Sequence, residues 1–565
     1  SSNDSRLQNA ELVSHFNRGS QFLAQGKLEE AKTSYLKALS LKPDLAEAHN
    51  NLGVVLQKLG KFDLAIECHQ RALTIKPNYP EAHQNLGLAF NAQKKIDLAI
   101  EHRQKALALK PDYTEAFDDL FYARLKCCDW TDYVNNRKKI LQNVNENKQG
   151  HSPLEFFSIS SEPAEQLKCA RTFVANNIPA FKTEVWTSQC YRHEKIRIAY
   201  VSGNLNEHPV AYLMAGLFEQ HDKNRFEIIA ISLMPEDKSV MGQRIKNAFD
   251  QFIDVSSLGD YEVAVLIKKL EIDIAVDLMG FTGKSRPAVF AYHPAPVQIN
   301  YLGYPGTMGA EYIDYILADN IIIPPEQQNC YTEKVVYLPD SYMPNDSKRI
   351  IAQYTPTRSE ANLPESGFVF CCFNNHYKIT PEIFTIWMRL LKNVKDSVLW
   401  LSAGNALIIK NLTKAAISHG ISPDRLVFAP RMEKIEEHLA RQRLADLFLD
   451  TPLYNAHTTA SDALWAGLPV LTCMGQSFAS RVAGSLLHAI GLPELITHNL
   501  AEYEALAFKL ATHPEQLAEI RQKLAHNRDT YPLFNTKQFC LHLETAYLKM
   551  WQRSQRGELP INFMV

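Results

Sequence analysis

The sequence carries almost no net charge: 60 Lys and Arg stand against 62 Asp and Glu, for a formal charge of −2. That balance points away from nucleic acid and from anionic membrane surfaces, both of which call for a basic excess. Long hydrophobic runs are missing too. No stretch approaches the roughly 18 uncharged apolar residues that a bilayer-crossing helix needs, and the Ser-Ser-Asn start has no signal-peptide pattern. Cysteine is sparse, ten in 565 residues, with two adjacent pairs (Cys127-Cys128 and Cys371-Cys372) and no C-x-x-C spacing. Neither a zinc site nor a redox motif is suggested, and scattered thiols fit a reducing compartment, so the expected location is cytoplasmic. What is present is an ordinary globular composition, 46% hydrophobic and 22% charged, in a chain long enough for about three or four domains.

Residues 11–142 repeat. Pro43, Pro77 and Pro111 are 34 residues apart (77 − 43 and 111 − 77), and the same interval links Gly19, Gly53 and Gly87, Ala31, Ala65 and Ala99, and Ala38, Ala72 and Ala106. The register resembles the tetratricopeptide repeat (TPR), a helix-pair α-solenoid in which small residues sit where helices cross and proline ends the second helix. Three repeats are complete and a fourth degrades after Asp119. Asn17, Asn51 and Asn85, continued by Asp119, fall on the first helix of each pair. Two readings stay open for them: a ladder in the concave groove for an extended peptide backbone, or local capping and inter-repeat hydrogen bonds.

The period is lost over residues 143–192, which read as a helical connector. From Lys195 the pattern alternates strand and helix. Candidate strands are 196–201, 226–231, 272–278, 297–302 and 335–338, then 368–373, 397–401, 425–428, 447–450 and 470–473. Two successive parallel α/β units imply two Rossmann-like lobes, at 193–350 and 351–540, joined by the polar stretch 345–367. A C-terminal helix is expected over 541–565, with Phe539, Tyr547 and Trp551 as the aromatics that anchor it to a lobe.

The richest stretch is Asp450 to Cys473, DTPLYNAHTTASDALWAGLPVLTC. A strand runs into a polar loop, the loop closes on His457-Thr458-Thr459, and a short helix follows until Gly467 and Pro469 stop it. Free N–H groups and the positive dipole end, beside two hydroxyls and an imidazole, make a receptor for an anion such as a diphosphate. Asp462, one turn on, offers an acceptor-only carboxylate suited to the two hydroxyls of a ribose. The plainer alternative is that Thr458 or Thr459 is an N-cap and Asp462 a first-turn charge.

Six motifs in order carry a resemblance over nearly the whole chain: Ser202-Gly-Asn-Leu-Asn-Glu-His208-Pro209; Pro294-Ala-Pro-Val-Gln298 with Leu302-Gly-Tyr-Pro-Gly306-Thr307; Phe373-Asn-Asn-His-Tyr-Lys378; Glu436-Glu-His438; the stretch just described; and Pro532-Leu-Phe-Asn-Thr-Lys537-Gln538. Together they resemble the TPR-containing O-linked N-acetylglucosamine (O-GlcNAc) transferases, glycosyltransferases of GT-B fold. Tyr342 and Gly367 are only 25 positions apart (367 − 342), so no large insertion divides the lobes, as in the compact bacterial type.

The resemblance implies an inverting transfer of N-acetylglucosamine from UDP-GlcNAc to Ser or Thr of protein or peptide acceptors held in the TPR groove, with UDP as product and no cofactor. Lys378 would meet the donor diphosphate, in the electrostatic role a metal otherwise plays; the chain contains no D-x-D pair, consistent with metal independence. His457, Thr458 and Thr459 would hold the phosphates, Asp462 the ribose, and His438 and Arg441 the base. His208 would lie by the sugar and acceptor hydroxyl as a candidate proton acceptor. The chain departs from the family pattern at three places. Asp273 stands where a second histidine is expected, with Asp277 as another carboxylate; Asn375 replaces a glutamine near the phosphates; and Ile435 replaces a lysine, leaving Lys434 one position away. The histidine, two threonines and Asp462 resemble the UDP-GlcNAc branch, whereas Asn374-Asn375 looks more like the GDP-fucose branch. UDP-glucose as donor, and a TPR adaptor with a non-catalytic nucleotide-binding half, are the remaining alternatives.

Overall fold

A computed structural model describes residues 2–181 and 183–565, with side chains of the first helix from Arg6 onward. It divides into two compact units, the first running to Thr131 and the second spanning Asp132–Val565. No helix among the described residues is long and apolar enough to cross a membrane.

The first unit is a run of antiparallel helices: Ser2–Ala24, Leu28–Leu41, Ala46–Lys58, Phe62–Ile75, Pro80–Ala92, Ile96–Leu109 and Thr114–Lys126. The 34-residue interval has a direct steric cause. A Cβ on Gly19 would lie 2.8 Å from the Tyr35 ring, one on Gly53 2.5 Å from the His69 ring, and one on Gly87 3.2 Å from Arg103 Cγ. Tyr35, His69 and Arg103 recur at the same interval on the second helices and are buried. Each glycine is therefore the socket for a large side chain of its partner helix.

Polar bonds then tie one repeat to the next. Asn50 Oδ1 lies 2.9 Å from His69 Nδ1 and accepts from Asn85 Nδ2 at 3.1 Å. Gln57 Nε2 donates to the Asn85 carbonyl at 2.7 Å, and Gln84 Nε2 donates to Asp119. Asn85 and Asp119 thus take part in inter-repeat bonding. Asn17 is exposed and Asn51 half-buried, on the same first helices.

The helix Tyr133–Asn145, which the expected repeat limit of 142 takes in, belongs to the second unit and packs on Pro163–Asn177. Fourteen strands follow among the described residues. In the first lobe they are β1 (Ile196–Ser202), β2 (Phe226–Ser232), β3 (Gln251–Asp254), β4 (Ile274–Asp277), β5 (Val297–Asn300), β6 (Tyr315–Ala318) and β7 (Lys334–Tyr337). In the second they are β8 (Val369–Cys372), β9 (Val398–Ser402), β10 (Leu426–Ala429), β11 (Leu447–Leu449), β12 (Val470–Cys473) and β13 (Ile496–Thr497), and β14 (Phe563–Met564) ends the chain. All pair in parallel, in the orders β14-β7-β6-β5-β4-β1-β2-β3 and β10-β9-β8-β11-β12-β13. Central strands such as β4, β5 and β6 are buried along their whole length, as parallel sheets covered on both faces require. The architecture expected from the sequence, helical repeats followed by two parallel α/β lobes, is what the chain adopts.

Four strands lie outside the sequence-based set. β3 is a partly exposed edge strand, β6 is only four residues long, and β13 and β14 have two residues each. The C-terminal segment also needs correcting. It is not helical throughout: the helix Thr536–Gln555 is followed by β14, which pairs with β7 in the first lobe's sheet. That helix is fixed to the first lobe by the Tyr547 hydroxyl, 2.9 Å from that of Tyr200, and by Glu544, whose Oε2 lies 3.1 Å from His221 Nδ1. Tyr547 is fully buried, whereas Phe539 and Trp551 are half-buried.

Because the Gly53 socket is filled by His69, Gly53→Ala should cost about 1–3 kcal/mol of overpacking, read as a lower midpoint in denaturant unfolding of the whole chain. Burial pushes His69 down to about 4. Its depressed value means the unfolded chain binds the proton more tightly, so stability is intact above pH ~6.5 and falls as pH drops from there toward 4, by on the order of 3 kcal/mol. Comparing unfolding midpoints at pH 7 and pH 4.5 checks this, with His69→Gln flattening the difference.

Candidate functional site

In an open parallel sheet, ligands bind outside the carboxyl ends of the strands where the strand order reverses. In the second lobe the chain steps from β8 to β9 and β10 on one side, then returns to β11, β12 and β13 on the other. The reversal lies between β8 and β11. The turn after β8 is Asn374–Lys378 and the loop after β11 is Asp450–His457, so topology brings together two stretches far apart in sequence.

Asp450 organises that junction. Its Oδ1 accepts from the backbone N–H of Thr451 (2.8 Å) and Ala456 (2.6 Å), and its Oδ2 accepts from the Thr472 hydroxyl (2.6 Å). Asn374 Nδ2 donates to Asp450 Oδ1 (3.3 Å) and to the Thr451 hydroxyl (2.8 Å), while Asn374 Oδ1 accepts from the Thr459 hydroxyl at 2.6 Å. The loop is folded back on itself, which turns the Asn455 carbonyl toward Lys378. Lys378 Nζ donates to it at 3.0 Å and lies 3.8 Å from the centroid of the Tyr454 ring. Burial pushes the lysine down to about 8, against the raising effect of the Asp450 charge, and burial raises Asp450 to about 6.

The helix Thr458–Trp465 begins here. His457 occupies its N-cap position, and no side chain among the described residues caps it. Thr458 and Thr459 are therefore the first helical residues and not caps, and the first-turn N–H groups point out of the helix end beside Lys378. His457 Nε2 lies 3.1 Å from the Ala479 carbonyl, and burial together with the Lys378 charge holds its imidazole far below the usual histidine range. Gly467, at φ +88°, turns the chain after the helix.

His438 and Arg441 lie on the helix Ile435–Arg441. Arg441 Nε and Nη2 approach His438 Nδ1 at 3.1 and 2.9 Å, and its Nη1 donates to the Pro430 carbonyl at 2.6 Å. The His438 ring packs 5.3 Å from Phe373, and burial followed by the Arg441 charge lowers it to about 4. Arg441 acts on His438, keeping it a neutral, oriented plate, instead of reaching out from the wall itself. Asp462 has a partner the sequence reading did not foresee: Arg349, from the stretch joining the lobes, places Nη1 2.7 Å from Asp462 Oδ1. Asn375 is exposed and donates to the Tyr377 hydroxyl at 3.3 Å.

The first lobe's order reverses between β1 and β4. His208 follows β1 and is the N-cap of the helix Pro209–Gln220, its Nδ1 accepting from Val210 N–H at 3.2 Å. Burial, and then the Lys284 charge, lower His208 to about 4. With Nδ1 used as an acceptor, the neutral ring carries its proton on Nε2 and offers an N–H where a proton acceptor was expected. Asp273 also differs from expectation. It precedes β4 at the amino end, where its Oδ2 accepts from Arg197 N–H at 2.9 Å, so it faces the edge opposite the crevice. Asp277 ends β4 on the crevice side. Its Oδ1 accepts from Met279 and Gly280 N–H (2.8 and 3.1 Å), its Oδ2 is buried without a hydrogen-bond partner among the described residues, and burial raises it to about 6.

Several contributors lay outside the sequence reading. Phe157, in the connector, packs 5.1 Å from Tyr304 and 5.7 Å from Tyr454, so the connector walls the lysine's surroundings. Asn455 and Arg349 act through contacts set by topology and have no local signature, and Asn374, noted in the sequence only for its resemblance to another branch, gains its role through the same kind of contact. Asp450 opens the stretch singled out in the sequence, but its part in holding the loop was not read there.

Residues 127–357 and 351–543, well over half the chain, match glycosyl transferase family 41. The chain belongs to that family. Within the first unit, residues 19–60, 46–79 and 80–113 match tetratricopeptide repeats. Among relatives of this family 41 chain, the probable UDP-N-acetylglucosamine–peptide N-acetylglucosaminyltransferase SEC of Arabidopsis thaliana is 39% identical over 378 residues, covering 66% of this chain and 39% of that protein. The UDP-N-acetylglucosamine–peptide N-acetylglucosaminyltransferase of Caenorhabditis elegans is 28% identical over 563 residues, covering 77% and 49%. The chain thus spans half or less of the length of these curated relatives. A solved mutant of the Thermobaculum terrenum O-GlcNAc transferase superposes with a TM-score of 0.69 at 28% identity, over 97% of this chain and 99% of that one.

Asp450→Asn replaces one accepting oxygen with an NH2 donor, which must face either the two backbone N–H groups or the Thr472 hydroxyl that donates to Asp450, and should destabilise the second unit by roughly 1–3 kcal/mol, seen as a lowered unfolding midpoint.

Proposed function

We propose that this family 41 chain is an inverting protein O-glycosyltransferase that moves N-acetylglucosamine from UDP-GlcNAc to Ser or Thr hydroxyls of protein acceptors, with the repeat unit capturing the acceptor chain. The observation that carries this reading is the placement of Lys378 beside the uncapped start of the helix Thr458–Trp465 at the strand-order reversal of the second lobe. The acceptor oxygen attacks the anomeric carbon, the bond to UDP breaks, and the negative charge that grows on the leaving diphosphate meets the Lys378 ammonium and the helix N–H groups. Those groups supply positive potential where a metal would otherwise stand. His208 fits an N–H donor to the sugar side of the cleft, and His438 a plate against the base. Holding donor and acceptor in one crevice removes orientational freedom and lowers the barrier further. The relatives named for UDP-N-acetylglucosamine, and the retention of Asp462, favour this donor over GDP-fucose or UDP-glucose.

The test is sugar transfer to a Ser/Thr peptide pool from UDP-GlcNAc, UDP-glucose and GDP-fucose, each with chelator present. Turnover of UDP-GlcNAc alone is expected, and Lys378→Met should lower it by at least about a hundredfold. Turnover of another donor would reassign the sugar, and nucleotide binding without transfer would favour the adaptor reading. Since Lys378 lies near 8, its ammonium is lost as pH rises through that value, so kcat/KM should decline above pH ~8 while kcat, measured with the diphosphate bound, holds to higher pH.

A further inference from the structure

Arg349 is an unusual residue to find inside the chain. It comes from the polar stretch between the lobes, and its side chain is only 6% exposed. Its backbone carbonyl accepts from Trp465 Nε1 at 3.3 Å, which fixes it beside the helix that carries Asp462. Its guanidinium lies 5.9 Å from the Tyr212 ring, on the helix that His208 caps, so it stands in the crevice between the lobes. Nη1 is 2.7 Å from Asp462 Oδ1, yet the contact is an ion pair without hydrogen-bond alignment: Arg349 Nη1 and Nη2 and Asp462 Oδ1 are all shielded from water, and none has a hydrogen-bond partner among the described residues. His438 feels the charges of both Asp462 and Arg349, which places the pair beside the plate for the base.

The ion pair leaves Nη2 of the fork without a hydrogen-bond partner among the described residues, and a spare donor set beside a carboxylate is complementary to groups that donate and accept at once. Vicinal hydroxyls do this: each O–H can donate to the carboxylate while its lone pairs accept from the guanidinium. We propose that Arg349 and Asp462 form a two-sided clamp for the ribose diol of a nucleoside diphosphate, Asp462 accepting from the hydroxyls and Arg349 donating to them, which makes Arg349 a specificity-determining residue for ribonucleotide over deoxyribonucleotide. This rests on the reading of the second lobe as a UDP-sugar site. The planar fork matters because a lysine offers a single point of charge and cannot serve Asp462 and a hydroxyl in fixed directions.

The experiment measures binding of UDP and of 2′-deoxy-UDP by calorimetry to the full chain and to Arg349→Met and Arg349→Lys, with unfolding midpoints recorded for each. The unaltered chain is expected to prefer UDP by at least about tenfold, and both variants to bind UDP more weakly and to lose most of that preference. A variant that loses stability but keeps the UDP to 2′-deoxy-UDP ratio of the unaltered chain would make Arg349 a structural lock only and overturn the clamp. If Arg349→Met does not fold, Arg349→Lys carries the same decision. Failure of the unaltered chain to bind UDP at all would instead overturn the donor-site reading on which the clamp rests.

Discussion

One buried carboxylate holds the site together. Asp450 follows a central strand and immediately bends the chain, because two backbone N–H groups of its own loop and the Thr472 hydroxyl converge on its two oxygens. A loop buried at the end of a sheet must satisfy its backbone groups somewhere, and an acceptor-only side chain with about four lone-pair sites does this from a single position. Everything downstream follows from the resulting curve. The Asn455 carbonyl meets Lys378, the Tyr454 ring covers the ammonium, and the chain enters the next helix at His457 with its first-turn N–H groups directed at the same point. Asn374 locks the two turns together, since its amide oxygen is taken by Thr459 and its amide nitrogen by Asp450 and Thr451.

The repeat unit obeys a different constraint, one of volume. Its interval is a matching rule between a glycine on one helix and a large buried side chain sixteen positions later, as with Gly53 and His69 (69 − 53). Burying a histidine in such a socket leaves its Nδ1 needing a partner, and Asn50 provides it; the same Asn50 oxygen then reaches Asn85 of the following repeat. Packing within a repeat and bonding between repeats are thus carried by the same few side chains.

Much of this was legible before any coordinates. Periodicity exposed the repeats because a steric rule recurs at a fixed spacing, and hydrophobic runs bounded by turns exposed ten of the fourteen strands. The four others are short or lie at sheet edges, where burial leaves little pattern. At the site, the residues on the helix start could be picked out because their local context already suggests an anion seat, whereas Lys378 on the turn after β8 came from the family resemblance. What the sequence could not convey was pairing across long separations. Arg349 reaches Asp462 over more than a hundred residues, and Phe157 from the connector touches Tyr454 across nearly three hundred. The direction of a strand decided the rest. Asp273 and Asp277 are four residues apart, yet one sits at the amino end of β4 and the other at the carboxyl end, so only the second borders the crevice.

The electrostatics of the crevice are more sharply divided than its composition suggests. His208, His438 and His457 all border it, and all three are held below the ordinary histidine range, chiefly by burial and further by a neighbouring cation in each case. At neutral pH they are dipoles and not charges. Positive charge is carried by Lys378 at the helix start, by Arg349, paired with Asp462, by Arg441 beside His438 and by Lys284 near His208. An anionic group at the start of that helix therefore meets the Lys378 ammonium, reinforced by a helix N-terminus, while the neutral imidazoles around it select by shape and hydrogen-bond direction. Under the proposed transfer, such a placement suits a leaving group that gains charge at the helix start, because a field spread over several imidazolium groups would hold a diphosphate before and after bond cleavage almost equally, and only the difference between the two would accelerate the reaction.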